Sequence, residues 1–460
     1  MTYIKRHIDQ KLLEWKTEQR RKPLLIRGAR QVGKSTAIRE FGKTFHYFAE
    51  INLEKQPDLK LLFTENIDVK KTCEKLTVAI NVPIIPEETL LFIDEIQVSQ
   101  EAIMSLRYFK EDYPELHVIA AGSLLEFALE ELPSFAVGRV RSLYMYPFSF
   151  DEFLIAQGLD IIVDYKKKNT NEPLPIKTHK DLVDQLRSFY LVGGMPAAVI
   201  EWVETHNYLE VARVHHDILS AYTDDFSKYK KRISPILLRQ VLRSVALQIG
   251  QKFVCSQADR DVKSTVIKGA LNLLTLAGLI TPVIHTNANG LPLGAEENNN
   301  FVKYLFFDIG VMQTMLGTLS KEILLSSDTE FVNKGGLSEM FAGLEMQKYT
   351  DCFQKAEIHY WQNIGKDSQA EVDYVIAQNG KVLPIEVKAN TQGSMQSLWI
   401  FLRSHNLHEA IRTSLENFGQ LYYYDPKDGD AERHVDIIPL YAISNITNNS
   451  SKSIIRQLIH

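Results

Sequence analysis

The chain has 460 residues, of which 45% are hydrophobic and 24% are charged, as in an ordinary globular protein of two to four domains. Its net charge of −5 excludes a basic surface over the whole molecule, so any nucleic-acid-binding surface must be local. Three scattered cysteines exclude a disulfide framework or a cysteine-based zinc cluster. The sequence has no signal-peptide pattern and no apolar run near the ~20 residues of a membrane span, so we expect a cytoplasmic protein without a membrane partner.

The first third of the chain alternates apolar strands with helices. A lead-in helix is predicted over 1–20, and strands are predicted in PLLIRG, HYFAEINL, ETLLFIDEI and HVIAAGS. The third strand is apolar along its whole length, as expected for a strand buried on both faces. This alternation predicts an α/β fold, with a parallel sheet covered by helices, over residues 1–160.

The remainder of the chain is predicted to form three further domains. Helices between Leu182 and Tyr229, interrupted at LVGGMPAAV, form a helical lid or linker over 161–232. Two helices followed by two strands over 233–320 are typical of a winged-helix module. An α/β unit over 321–460 begins with the helix GGLSEMFAGLEMQKY.

A phosphate-binding loop is predicted at GARQVGKS, which matches G-x-x-x-x-G-K-[ST] between a strand and a helix. Backbone N–H groups of such a turn point at one anion, and the helix N-terminus adds positive potential. Lys34 is expected to reach the β- and γ-phosphates, and the Ser35 hydroxyl is expected to bind Mg²⁺. The predicted nucleotide-binding residues of this loop are Gly28, Ala29, Arg30, Gln31, Val32, Gly33, Lys34, Ser35 and Thr36.

Carboxylates at the end of the strand LLFIDE supply the second half of the predicted site. Asp94 is expected to hold Mg²⁺, and Glu95 is a candidate general base for the attacking water. A third polar residue, Ser123, follows the next strand. It is either a group that senses the γ-phosphate or a helix cap.

The segments GARQVGKST, LLFIDEIQ, AAGSLLEF, VGRVRSLYMYPFSFDEFL and LVGGMPAAV resemble the prokaryotic AAA+-type P-loop ATPases that carry a C-terminal restriction-endonuclease-like domain of unknown function. The resemblance covers nearly the whole chain and implies ATP and Mg²⁺ as cofactors. It also implies that Arg139 contacts the γ-phosphate, in cis or from a neighbouring subunit of an oligomer. The alternative is that Arg139 pairs with a carboxylate at the sheet edge. Arg141 is a poorer candidate for the finger.

A basic segment lies in the predicted winged-helix region. Residues 226–270 carry ten lysines and arginines against two aspartates, a local charge of +8. The helix over about 264–277 would be the recognition helix, with basic residues that contact DNA phosphates. Because winged helices also bind proteins, a protein partner is the alternative. The basic residues are Lys228, Lys230, Lys231, Arg232, Arg239, Arg243, Lys252, Arg260, Lys263 and Lys268.

The stretch EVDYVIAQNGKVLPIEVKAN predicts a β-hairpin in the C-terminal region. Asn379-Gly380 favours a two-residue type I′ turn, which places Asp373 directly opposite Glu386. Facing carboxylates destabilise a sheet unless something neutralises them, and a Mg²⁺ ion bound by both would do so. Lys388 lies on the same face, where it would orient the attacking water or stabilise the charge of a phosphodiester transition state.

This spacing resembles the PD-(D/E)xK nuclease motif. The resemblance implies a further acidic metal ligand on the preceding helix, where Glu339 matches and Glu345 is a poorer alternative. There are three other interpretations of the hairpin. In one of them, Asp373 pairs with a basic residue from elsewhere in the chain. Glu371 opposite Lys388 would form an ordinary cross-strand ion pair, and domains of this fold also persist as inactive scaffolds.

Together these patterns predict an AAA+/ASCE-like P-loop core, a helical lid, a winged-helix module and a C-terminal α/β restriction-endonuclease-like domain. The predicted function is Mg-ATP hydrolysis that controls a metal-dependent nuclease acting on DNA. One alternative is an ATP-driven switch whose C-terminal domain is an inactive binding module, and another is an ATPase that remodels a protein partner. The predicted catalytic residues are Glu95, Arg139 and Lys388, and the predicted metal ligands are Ser35, Asp94, Glu339, Asp373 and Glu386.

Overall fold

The computed structural model describes residues 3–64, 68–123, 125–130, 138–168, 172–229, 233–317, 334–365, 370–389 and 394–446. The chain divides into two compact units. Unit 1 comprises residues 1–148 with the short segments 276–278 and 351–355, and unit 2 comprises the rest. The division after residue 148 falls near the predicted boundary at 160. The three other predicted domains lie almost wholly within unit 2.

Unit 1 is built on a parallel sheet. Its strands are β1 (Leu24–Arg27), β2 (Tyr47–Asn52), β3 (Thr89–Asp94), β4 (His117–Ala121) and β5 (Arg141–Tyr144). The four predicted strands are confirmed, and β5 has no counterpart in the prediction. The order β2-β3-β4-β1-β5 inserts β4 between β1 and β3, so the carboxyl ends of these three strands are neighbours at one edge.

Helices follow the strands of unit 1 in alternation. They are α1 (His7–Lys16), α2 (Lys34–Gly42), α3 (Val69–Ile80), α4 (Gln100–Asp112) and α5 (Leu125–Glu130). The side chains of Asp68 and Ser99 cap the first turns of α3 and α4 by accepting backbone N–H bonds. Strands β3 and β4 are buried along their whole length, which explains their continuous apolar sequence.

Unit 2 begins with five helices. They are α6 (Phe150–Ala156), α7 (Asp160–Lys168), α8 (Ile176–Val192), α9 (Pro196–Thr205) and α10 (Tyr208–Asp225). The predicted interruption at LVGGMPAAV is confirmed, because it falls between α8 and α9. The Gly194 N–H donates to the Asp308 carboxylate at 2.6 Å, and a Cβ at Gly193 would come within 2.2 Å of that carboxylate. Glycine is therefore required where Asp308 approaches the break.

Two helices, a short helical turn and a hairpin follow in the predicted order. The elements are α11 (Pro235–Leu247), α12 (Cys255–Ala258), α13 (Ser264–Leu276), β6 (Ile280–Thr286), β7 (Glu297–Phe306) and α14 (Ile309–Leu316). Strands β6 and β7 pair in antiparallel fashion.

The last part of the chain completes a large mixed sheet. Its elements are α15 (Lys334–Tyr349), β8 (Ile358–Gln362), β9 (Glu371–Gln378), β10 (Lys381–Val387), α16 (Gln396–Ser404), β11 (Glu409–Ser414), β12 (Gly419–Asp425) and β13 (Ala431–Pro439). The eight strands run in the order β12-β13-β11-β10-β9-β8-β6-β7. Because β6 pairs with β8, the hairpin predicted as a wing is one edge of this sheet and not a part of a separate module.

One face of the large sheet packs against α16. Phe401 and Leu402 of this helix share a buried cluster with Trp361, Val375 and Val435 of the strands. This packing buries one face of the β9–β10 hairpin. In the described parts of the chain, every helix is too short or too polar to span a bilayer.

Candidate nucleotide and carboxylate sites

The loop between β1 and α2 is folded tightly against the chain that follows β5. Gly28 has a φ of 142°, and a Cβ at this position would lie 2.1 Å from the Met145 carbonyl oxygen. Only glycine allows this approach. Gly33 directly precedes α2, so the first N–H groups of the helix face the loop. The loop therefore has the form that receives a phosphate group.

The Lys34 side chain is buried and bonded to the loop itself. Its Nζ donates to the carbonyl oxygens of Gly28 and Ala29 at 2.9 and 2.8 Å. Burial lowers the pKa of Lys34 to about 8. An ammonium held by carbonyl groups can turn toward a phosphate without breaking an ion pair.

Ser35 and Asp94 meet, as predicted for a shared magnesium site. The Ser35 hydroxyl lies 3.1 Å from both carboxylate oxygens of Asp94. Asn52, at the end of β2, donates to Asp94 at 3.3 Å, and the sequence prediction missed this residue. Burial, followed by the neighbouring charge of Glu95, raises the pKa of Asp94. A bound cation would stabilise the ionised form of a carboxylate in these surroundings.

The candidate base Glu95 is held in a strained conformation. Its φ is 51°, a left-handed value that is uncommon for a residue with a side chain. The Gln97 amide donates to Glu95 Oε2 at 2.6 Å, and the Ser123 hydroxyl lies 3.3 Å from the same oxygen. A Cβ at Gly122 would lie 2.0 Å from the Gln97 side chain, so glycine leaves room for that amide. Gln97 is thus a further site residue, which the motif LLFIDEIQ contained but did not single out.

Arg139 lies at the opposite edge of the sheet from the P-loop of its own chain. It precedes β5, whose first residue, Arg141, is level with Leu24 at the start of β1, whereas the P-loop follows the end of β1. The strand spans ~3.3 Å per residue between the two edges. Arg139 Nε donates to Glu111 at 3.0 Å, and Arg141 pairs with Glu18. The predicted contact in cis is corrected accordingly, and a contact from a neighbouring subunit stays a prediction.

A buried arginine before α1 supports the P-loop from outside. The guanidinium of Arg6 donates to the Val32 carbonyl at 3.0 Å and to the Tyr146 carbonyl at 2.7 Å, and it lies over the Phe148 ring. These bonds tie the loop to the chain after β5. No local sequence pattern indicates this role, because the guanidinium of Arg6 bonds to backbone groups far away along the chain.

Comparisons with known proteins match a protein family to the part of the chain that contains the P-loop. Residues 20–154 match the family model described as the AAA domain. Residues 20–154 are an AAA-type P-loop ATPase domain. Residues 183–322 and 334–443 match two families described as domains of unknown function, DUF8612 and DUF4143. No curated protein matches the chain.

Comparison with solved structures gives weaker similarities, including two archaeal proteins. A Walker-type ATPase of Pyrococcus abyssi is 16% identical with a TM-score of 0.46, and the match covers 68% of this chain and 96% of that one. The Orc1 protein of Aeropyrum pernix, solved in complex with DNA, is 12% identical with a TM-score of 0.27, and the match covers 69% of this chain and 94% of that one.

Outside the AAA domain, the β9–β10 hairpin has the predicted turn and register. Asn379 and Gly380 have φ values of 52° and 74°, as a type I′ turn requires. Ile385 pairs with Tyr374, the position next to the predicted pair of Asp373 and Glu386. The Asp373 carboxylate accepts the backbone N–H of Val387 at 2.7 Å.

A lysine that the sequence prediction missed enters this carboxylate cluster. Lys303 of β7 is almost fully buried, and its Nζ donates to Glu339 of α15 at 2.8 Å and to Glu371 of β9. Lys388 pairs with Glu386 and not with Glu371, so the predicted cross-strand ion pair is corrected. The available signal was a charged residue inside the apolar strand FVKYLFF.

The predicted metal ligands of the cluster already have partners within the protein. Burial raises the pKa of Glu339 and of Glu386 to about 8, and it raises the pKa of Asp373. Burial opposes the charge of Lys303, but the adjacent carboxylates outweigh it and raise its pKa. Among the residues that the structure describes, no three His, Cys, Asp or Glu side chains are grouped to hold a metal ion. Within the described part of the cluster, Glu386 Oε2 is buried without a hydrogen-bond partner, but one such oxygen does not make a site for a resident metal.

The alternative ligand Glu345 has a structural role. It is buried, it pairs with Lys348 at 3.0 Å, and it accepts the backbone N–H of Phe150 at 3.0 Å. These bonds tie α15 to the start of α6.

The predicted basic segment is spread over several elements. Lys263 and Lys268 are exposed at the start of α13. Arg243 donates to the Met315 carbonyl, and the Lys252 ammonium lies 3.5 Å from the centre of the Phe301 ring. The side chain of Lys228 and residues 230–232 lie outside the described residues. DNA contact by this segment stays a prediction.

Proposed function

We propose that this chain binds Mg-ATP between β1 and α2 and hydrolyses it. The observation that carries the proposal is the arrangement of charge at the P-loop. Among the described residues, Lys34 donates to loop carbonyls and Asp94 accepts from the neutral groups of Ser35 and Asn52. A positive and a negative group with uncharged hydrogen-bond partners at one phosphate-binding loop suit a phosphate and a magnesium ion.

Each residue has a defined role in this proposal. Ser35 and Asp94 hold Mg²⁺, which bridges phosphate oxygens and neutralises their charge. Lys34 leaves the loop carbonyls to contact the β- and γ-phosphates. Glu95 accepts a proton from the attacking water, and Gln97 and Ser123 fix the orientation of its carboxylate. In an oligomer, Arg139 of a neighbouring chain would act as the arginine finger.

For the C-terminal part we propose that nucleotide state switches a binding module. Of the two hypotheses that the sequence raises, a nuclease and a binding module, the ammonium–carboxylate pairing of Lys303 and Lys388 favours the second. The ligand is a protein or a nucleic acid. Lys263, directly before α13, and Lys268 on α13 are exposed cations that would contact phosphates.

Nucleotide binding and phosphate release test the first part of this proposal. We expect Lys34→Met to weaken ATP binding by about 10–100-fold, the effect of removing a charge-assisted hydrogen bond. Lys43→Met is the matched control, because Lys43 is exposed directly after α2 and pairs at the surface with Glu40. Equal ATP affinity in wild type and Lys34→Met would contradict the assigned site.

Salt-dependent DNA binding and nuclease assays test the second part. The double variant Lys263→Ala/Lys268→Ala lowers affinity for DNA and reduces the salt dependence if nucleic acid is the ligand. If affinity for DNA is absent in both proteins, the partner is a protein. Metal-dependent cleavage that Asp373→Asn abolishes would refute the binding-module proposal and support the nuclease hypothesis.

A further inference from the structure

The carboxylate cluster of the large sheet has a cation of its own. Lys303 contributes that cation from β7, whereas Glu339 lies on α15 and Asp373 and Glu386 lie on the β9–β10 hairpin. Lys303 Nζ contacts two carboxylates, with a distance of 2.8 Å to Glu339. We propose that the Lys303 ammonium takes the place of a metal ion between Glu339 and Glu371, so that the cluster does not bind a divalent cation.

The burial of Lys303 is the first argument. Its side chain is 2% exposed, and such a charge is stable only when its surroundings return the lost hydration energy. Two carboxylates and the face of the Tyr360 ring, whose centre is 4.9 Å from Nζ, provide this compensation. A cation bound by so many groups is a fixed part of the site.

The partners of the remaining carboxylates are the second argument. Asp373 accepts a backbone N–H from Val387, and Glu386 pairs with Lys388. A metal ion would have to displace these donors and Lys303 at the same time. Magnesium is bound through several oxygen ligands in a near-octahedral shell. Among the described residues of the cluster, Glu386 Oε2 is a buried oxygen without a hydrogen-bond partner, and one such oxygen does not make this shell.

Charge pairing in the cluster is independent of ATP hydrolysis. Its role in the protein rests on the proposed function of the C-terminal part as a binding module. A lysine requires no particular coordination geometry, so the cluster keeps its fold in the absence of metal. The sheet then presents a metal-independent surface, and ATP remains the source of switching. Metal binding at the cluster can be measured without nucleotide, so its outcome is distinct from that of the ATPase assays.

Manganese binding to the full-length chain tests the inference. The full chain is needed because β6 and β7 belong to the same sheet as the hairpin. Free Mn²⁺ is measured by electron paramagnetic resonance, without nucleotide, at up to millimolar metal. We expect wild type and Asp373→Asn to bind the same number of ions. Loss of one ion in Asp373→Asn would overturn the proposal.

Removal of the lysine gives the complementary test. Lys303→Met, of similar length and neutral, is expected to bind one more Mn²⁺ ion than wild type and to be stabilised by the metal. The double variant Lys303→Met/Asp373→Asn should lose the added ion. Lys381→Met, an exposed lysine on the same hairpin, is the control and should gain none. A folded Lys303→Met protein that gains no ion would refute the inference. If this variant does not fold, the comparison of wild type with Asp373→Asn decides alone.

Discussion

The P-loop site and the carboxylate cluster of the large sheet both gather acidic side chains near a buried lysine, but they neutralise charge differently. At the P-loop, Asp94 and Glu95 accept hydrogen bonds from Ser35, Asn52 and Gln97, which are uncharged. Lys34 bonds to carbonyl oxygens. In the large sheet, by contrast, each lysine pairs directly with a glutamate.

The P-loop site therefore suits charged ligands, whereas the large sheet already supplies ammonium groups to its own carboxylates. Neutral donors hold a carboxylate in position without cancelling its charge, so the charge stays available for a cation. An ammonium in contact with the carboxylate cancels that charge, and a dication then gains little. Acidic residues at motif spacing therefore do not define a metal site until their partners are known.

The largest effect that tests the comparison is expected at Glu95. Glu95→Gln should lower kcat for ATP hydrolysis by about 10²–10⁴-fold, the usual contribution of a general base, while ATP still binds. Phosphate release under saturating ATP measures it. Glu74→Gln, an exposed residue of α3, serves as control. Unchanged hydrolysis in Glu95→Gln would show that Glu95 is not the general base.

Loss of the buried lysines should affect stability in opposite ways. Lys303→Met leaves Glu339 and Glu371 without their cation, so we expect the free energy of unfolding to fall by about 3–5 kcal/mol. Lys34→Met removes a buried charge that has no carboxylate partner bond, so the fold should be unaffected or stabilised. Denaturant unfolding without nucleotide compares the two variants. Similar losses in both would show that the sites are neutralised alike.

A smaller effect is expected from the residue that positions Glu95. Gln97→Ala frees the Glu95 carboxylate, and we expect kcat to fall by about tenfold with little change in KM. Initial rates over a range of ATP concentrations separate the two constants. Gln100→Ala, at an exposed position on α4, is the control. A change in KM alone would assign Gln97 to nucleotide binding and not to positioning of the base.

The smallest effect is a proton taken up when nucleotide binds. Burial lowers the pKa of Lys34 to about 8, and contact with a phosphate would raise it. At pH 8.5 most Lys34 side chains are neutral before binding, so Mg-ATP should take up most of a proton, whereas at pH 7 the uptake should be small. Calorimetry in buffers of different ionisation enthalpy measures this. Equal uptake at both pH values would contradict the charge state assigned to Lys34.

Local sequence determined much of the nucleotide site and of the hairpin. The P-loop motif, the four apolar strands and the Asn379-Gly380 turn are short-range signals, because backbone geometry and strand burial follow from neighbouring residues. The break between α8 and α9 was also predicted from its glycines. The partner that requires those glycines, Asp308, lies more than a hundred residues away in the chain.

Tertiary structure alone decided which charges meet. The parallel pairing of β5 with β1 placed Arg139 at the edge opposite the P-loop, and the pairing of β6 with β8 made the predicted wing part of the large sheet. The same pairing brought Lys303 to carboxylates of α15 and β9. No spacing rule in the sequence connects these residues, since electrostatic partners are selected by distance in the folded protein and not by separation along the chain.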